Sequence, residues 1–197
     1  MFVLVVVQDI ITIPPRDFGS ENSAIIFQIS KKYANRVIPK AGLVIRVHDV
    51  LYVSSGVVYP GDGSSHVTVK FRVVVFRPFV GEVLYGWIGR SSPEGIEVSM
   101  KFFEHTVILP EELQDPAKFY PNEQVWCWEN EGNNFWLEPD AKIRFVVLSV
   151  TFNPRRDEKP SAPSADGTVE NKGWSPMVIH GTIKGYGLGV LDWWQAP

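Results

Sequence analysis

Tyr59-Pro60-Gly61-Asp62-Gly63-Ser64-Ser65-His66 decides how the first part of this 197-residue chain folds. One apolar stretch, Gly42 to Tyr52, leads into it and another, Val67 to Phe76, leads out. Proline fixes φ, and glycines on both sides of an aspartate admit positive φ, so the chain must reverse here. The two stretches therefore form a long hairpin with a protruding turn. Directly after it, Gly81-Glu82-Val83-Leu84-Tyr85-Gly86-Trp87-Ile88 reads as the opening strand of a small barrel. A projecting turn joined to a nucleic-acid-type barrel points to docking and binding, not to catalysis.

Upstream, Phe2 to Ile13 is rich in Val and Ile, a strand expected to be covered on both faces. It lacks the basic start of a signal peptide, and Pro14-Pro15 ends it. From Ser20 to Val37, the residues Ile25, Ile29, Tyr33 and Val37 recur every four positions, with Ile26 widening the stripe. Lys31, Lys32 and Arg36 lie off the stripe near the C-terminal end, where a helix dipole favours cations. An amphipathic helix ending at Pro39 is expected. Strand, helix, strand, strand makes a sheet with a helix on one face.

From about Val80 the pattern becomes all-β. Strands are expected at Glu82 to Ile88, Gly95 to Met100, Thr106 to Leu109, Gln124 to Glu129 and Lys142 to Val150. Ser92-Pro93-Glu94-Gly95 is a hairpin signal, and Pro110-Glu111-Glu112-Leu113 suits one helical turn. Such short strands fit a barrel of the OB type. Asn153 to Gly173 holds Pro154, Pro160 and Pro163 with little to bury, and is expected to be a disordered insertion. Apolar residues return at Met177-Val178-Ile179, so the last barrel strand is expected beyond it. The fold class is α+β: a domain over 1–79, then an OB barrel over 80–197 with the insertion at about 153–173.

Net charge is −3, unevenly spread. Residues 1–79 carry nine basic against five acidic side chains, whereas residues 80–150 carry five against twelve. Nucleic-acid affinity comes from neutralising phosphates, so an acidic barrel is no strong free-standing binder. No apolar run reaches the roughly 20 residues that span a bilayer. The single cysteine, Cys127, excludes an internal disulfide framework and fits a reducing compartment.

Catalytic, cofactor and metal residues are not expected. His48, His66, His105 and His180 make no spaced ligand pair with each other or with Cys127. Ser64-Ser65-His66 reads as turn and strand start, since a nucleophile needs a base and an orienting group across space. Gly185-x-Gly187-x-Gly189 has no following helix to hold a pyrophosphate and reads as barrel-closing backbone. Trp87, Trp126, Trp128, Phe135, Trp136, Trp193 and Trp194 are assigned to core or protein interface ahead of base stacking. Arg90, Lys101, Lys142 and Arg144 are the main barrel cations and the candidate RNA contacts.

Met1-Phe2-Val3-Leu4, Ile13-Pro14-Pro15, Lys32-Tyr33-Ala34-Asn35-Arg36-Val37, Pro60-Gly61-Asp62-Gly63 and Phe71-Arg72-Val73-Val74-Val75-Phe76-Arg77-Pro78-Phe79 carry a resemblance in the first domain. Ser92-Pro93-Glu94-Gly95, Pro116-Ala117-Lys118-Phe119, Glu123-Gln124-Val125-Trp126 and Gly187-Leu188-Gly189 carry it in the second. In this order they resemble the stalk-subunit family of RNA polymerases: the polymerase III member, the seventh subunit of RNA polymerase II and the archaeal E subunit. The Trp-rich strand, Trp193-Trp194 and the polar insertion look like the polymerase III version. The resemblance implies a ribonucleoprotein-like domain and an S1-type OB barrel. It also implies a smaller partner subunit and a nuclear, non-catalytic role in initiating transcription of small-RNA genes, transfer RNA among them. Pro60, Gly61, Asp62 and Gly63 would then dock on the polymerase III core, with nascent RNA near the barrel. The alternative is a free-standing S1-type RNA-binding factor. One departure weakens stacking: the S1 Gly-x-Phe-Val strand reads Gly95-Ile96-Glu97-Val98, and Leu109 falls near the S1 histidine.

Overall fold

The computed structural model describes residues 1–130, 132–153 and 175–194. The chain divides into two compact units, Met1–Arg77 and Pro78–Pro197. Nearly all of the expected insertion lies outside the described residues; Asn153, at its start, donates from its side-chain amide to Ser175 O.

In the first unit, β1 (Phe2–Ile13) is followed by α1 (Glu21–Tyr33), β2 (Val37–Ile38), β3 (Gly42–Val53), β4 (Val57–Val58) and β5 (Ser65–Phe76). The antiparallel order is β1-β5-β3-β2, with β4 pairing β5 at its start. Strict alternation in β5 sends Val67, Val69, Phe71, Val73 and Val75 to one face. There Ile25 and Ile29 of α1 close the core, Ile29 without any exposure. Three register shifts in β3 each insert a residue and bend the strand around the helix.

Three expectations change here. β1 is covered on one face only: Phe2, Leu4, Val6 and Ile10 lie about half open on the other. Its apolar residues on both faces misrepresented its cover. The helix stops at Tyr33 rather than running to Pro39, because Asn35 takes φ 57° and turns the chain. Asn35 N then donates to Val44 O and Val44 N to Arg36 O, so Val37 joins a sheet edge. Ile26, expected to widen the buried stripe, is exposed beside Phe27.

In the second unit, β6 (Val83–Ser92) and β7 (Gly95–Ser99) form the expected hairpin. Then come β8 (Thr106–Ile108), a 3-10 turn at Pro110–Glu112, β9 (Ala117–Tyr120), β10 (Val125–Asn130), β11 (Asn133–Leu137), β12 (Lys142–Phe152), β13 (Met177–Thr182) and β14 (Gly189–Val190). The order β13-β8-β7-β6-β12, with β12 pairing β13 again, closes a five-stranded barrel. Ile88, Ile96, Ile108, Phe145 and Ile179 fill it without exposure.

The Trp-rich strand β10 is not a barrel strand. It lies in a separate sheet, β11-β10-β9. Alternation identifies a strand but not its neighbours, and β10 pairs with β9 and β11 before the chain returns to the barrel. Trp126 is buried there and donates from its indole to Ser92 O at 2.9 Å.

Candidate docking and nucleic-acid surfaces

The tip is the six-residue connection Tyr59–Ser64 between β4 and β5, with Val57, Val58 and Tyr59 more than half exposed. Gly61 and Gly63 have φ of +89° and +68°, the left-handed region that disfavours a Cβ. A Cβ at Gly61 would meet nothing within 4 Å, so backbone angle rather than crowding inside the chain calls for glycine. Asp62 is tied down: its carboxylate lies 2.5 Å from His66 Nε2, while His66 Nδ1 lies 3.3 Å from Thr12 Oγ1. These hydrogen bonds, His66 first and then Ser64, hold the Asp62 carboxyl below the usual carboxylate range. The ring of Tyr59 stands edge-on to His66 at 5.1 Å. The result is a pre-shaped, partly apolar turn. From sequence His66 was read only as turn and strand start, and Thr12 was not singled out, since it reaches the tip only through the β1–β5 register.

The open side of the first sheet combines the apolar stripe of β1 with a polar stripe. Asp49 accepts from Arg72 Nε at 2.7 Å, and that guanidinium first, then His48, draws the Asp49 carboxyl down to about 2. On the helix side, burial opposes ionisation of Asp9, but hydrogen bonds from Lys32 Nζ at 2.5 Å and Tyr33 OH at 2.6 Å outweigh it and lower its pKa. Burial first, then Asp9, raises the Tyr33 phenol well above its ordinary value.

On the barrel, antiparallel pairing sets Lys142 opposite Trp87 and Arg144 opposite Tyr85, all on the outward face. Lys101 reaches the same place from the turn after β7. Its ammonium lies 4.3 Å from the Trp87 ring centroid, and that of Lys142 6.0 Å. Two cations and two aromatic rings thus share one surface, suited to a phosphate and a stacked base. Arg144 is otherwise engaged: Nε and Nη2 both donate to Gly187 O, bracing the loop before β14. Arg90 stands apart, opposite Glu97 across β6 and β7. So two of the four candidate cations converge with Trp87. Tyr85 was missed, although its spacing of two from Trp87 was a readable signal.

No group of three or more potential metal ligands occurs among the described residues. Cys127 is fully buried, and burial pushes its thiol pKa up, the reverse of an activated nucleophile.

Two family models match: "RNA polymerase III subunit Rpc25" over residues 82–194, and "SHS2 domain found in N terminus of Rpb7p/Rpc25p/MJ0397" over residues 8–63. The chain is 41% identical to DNA-directed RNA polymerase III subunit RPC8 of Bos taurus across 100% of both chains. It is 38% identical to subunit rpc8 of Schizosaccharomyces pombe over 99% of this chain and 100% of the relative. DNA-directed RNA polymerase subunit Rpo7 of Sulfolobus acidocaldarius is 25% identical over 79% of this chain and 85% of its own. A free-standing RNA-binding factor would match the barrel alone, whereas the two polymerase III relatives match end to end. The chain belongs to the RNA polymerase III subunit Rpc25 family, non-catalytic subunits of a DNA-directed RNA polymerase.

Proposed function

We propose that this chain is the larger half of the polymerase III stalk, seated on the core enzyme by the Pro60–Gly63 tip. A smaller subunit covers the open apolar stripe of its first sheet, and emerging RNA makes weak contact around Trp87. In this role it supports initiation at small-RNA genes in the nucleus. The observation that carries the reading is the tip: a glycine turn pinned by Asp62 and His66, flanked by exposed Val57, Val58 and Tyr59. Apolar side chains exposed on a rigid turn are suited to burial in a partner.

The test is replacement of Gly61 and Gly63 together by Val. A β-branched residue at positive φ costs about 1–2 kcal/mol or more at each position and reshapes the turn. The stalk heterodimer should still assemble, because a Cβ at Gly61 meets nothing in the chain and one at Gly63 only Pro15 at 3.9 Å. Co-purification with the large polymerase subunits should fall sharply. Full incorporation of the doubly substituted chain would remove the tip from the docking surface.

A further inference from the structure

We propose that the open face of the first sheet takes an acidic, amphipathic segment of its partner, whose carboxylates pair with Arg46 and Lys70. The inference rests on the reading that the smaller stalk subunit covers this face, and adds the chemistry that subunit must bring. Residues directly opposite in an antiparallel sheet share a face, so the register lays this surface out in columns. Leu4, Val6 and Ile10 make an exposed apolar column on β1. Across the sheet from β1 to β3, Leu4 is followed by Val74 and Arg46, Val6 by Arg72 and Asp49, and Gln8 by Lys70 and Tyr52.

The charges on this face do not balance within the sheet. β1, β3 and β5 together hold two acidic residues, Asp9 and Asp49. Asp9 is on the helix side, tied to Lys32 and Tyr33. Asp49 is on the open side but is already taken by Arg72 at 2.7 Å and by His48 at 3.2 Å. Arg46 and Lys70 are exposed, and neither makes a hydrogen bond or ion pair among the described residues. Their cross-strand neighbours carry no charge: Gln8 and Tyr52 flank Lys70, and Val74 stands opposite Arg46.

A partner that covers the β1 column also covers both cations. Neighbouring strands are about 5 Å apart, so Lys70 lies about 5 Å and Arg46 about 10 Å from the column, within the roughly 10 Å width of a helix. A cation covered without an acceptor loses its hydration and gains nothing in return, so the partner must carry carboxylates there. The register also sets their spacing. Arg46 is level with Leu4 and Lys70 with Gln8, about 13 Å along the strands, which is about nine residues of a helix. Phosphates also pair with cations, but a nucleic acid needs rings for its bases, and the column beside these cations is aliphatic.

The experiment follows association of the full chain with the smaller stalk subunit by stopped-flow fluorescence at several salt concentrations. Arg46→Glu with Lys70→Glu should slow association about tenfold at about 0.05 M salt, and the gap should close near about 1 M. Arg46→Gln with Lys70→Gln, which adds no repulsion, should slow it about threefold. Lys31→Glu, exposed on α1 across the sheet, should leave the rate unchanged. Melting profiles check that each variant is folded. Leu4→Ser with Val6→Ser tests the cover itself. If that pair abolishes assembly while both cation variants keep the parental rate and salt dependence, the acidic segment is refuted and the covered stripe stands. If it leaves assembly intact, the smaller subunit lies elsewhere and both readings fall. Exclusion of the smaller subunit by a short oligouridylate, lost in the Lys70→Glu chain, would also overturn the proposal by assigning the face to nucleic acid.

Discussion

Removing Lys101 and Lys142 together should change how RNA binding responds to salt, while removing Arg144 should not. The two lysines lie over Trp87 with ammoniums facing solvent, whereas both donors of Arg144 engage Gly187 O. Each phosphate contact on a single strand contributes a log-log salt slope of about −0.7, so losing two should flatten the slope by about 1.4. Over a fourfold rise in salt, that pair accounts for about a sevenfold loss of affinity. A base stacking on Trp87 gains about 1–3 kcal/mol but displaces Lys101 from the ring, costing about 0.5–1 kcal/mol. The net is about 1 kcal/mol, so Trp87→Ala should weaken binding roughly fivefold. Arg144→Ala should leave the slope unchanged and lower unit stability by about 1 kcal/mol through the lost hydrogen bonds. Fluorescence titrations of a short single-stranded RNA against the stalk heterodimer, at four salt concentrations, read all three variants. An unchanged slope in the double lysine variant would refute the reasoning, as would equal flattening by Arg144→Ala.

Ile29→Ala should cost the first unit about 2–5 kcal/mol, and Ile26→Ala less than about 0.5, since the first is fully enclosed and the second is 46% exposed. Denaturant unfolding of the two variants measures this contrast, and equal losses would contradict the helix orientation described above. Expressed alone, the chain should bind a hydrophobic dye more than the co-expressed pair, and Leu4→Lys with Val6→Lys should reduce dye binding and partner capture together. For Asp49, the folded pKa of about 2 lies below the reference value of 3.8, so its contribution to stability is present above about pH 4 and is lost as pH falls through 2. Melting curves of Asp49→Asn and the parent chain should therefore converge on acidification; a gap that persists or widens would reverse the sign of the coupling.

Much of the first unit was legible because its cues are local. Alternation in Val67 to Val75, a four-residue apolar spacing through Ile25 and Ile29, and Pro-Gly-Asp-Gly each act over a few residues. The Ser92-Pro93-Glu94-Gly95 hairpin was equally local. Where the reading failed, a distant partner decided the outcome. Asn35 could have continued the helix or ended it, and its hydrogen bond to Val44 O belongs to an end. β10 alternates as any barrel strand would, but pairs with β9 and β11 instead. Apolar residues on both faces of β1 suggested double cover, yet the helix packs on one face only.

The candidate sites divide in the same way. The amino-acid sequence by itself determined that a turn with two glycines would reverse the chain just before β5, that the barrel would be acidic, and which side chains could carry positive charge; the short β4 that precedes this turn was not legible. Backbone sterics and charge need only the residue and its immediate neighbours. Tertiary structure decided which of those charges act together. Lys101 and Lys142 meet over Trp87 because β6 lies between β7 and β12, and Arg144 leaves the group because Gly187 presents a carbonyl to it. The rings of Trp128 and Trp193 likewise meet, at 5.6 Å, only after the β10–β11 hairpin packs against the chain that follows β14. Strand register brings together residues tens of positions apart, and no period along the chain encodes that pairing.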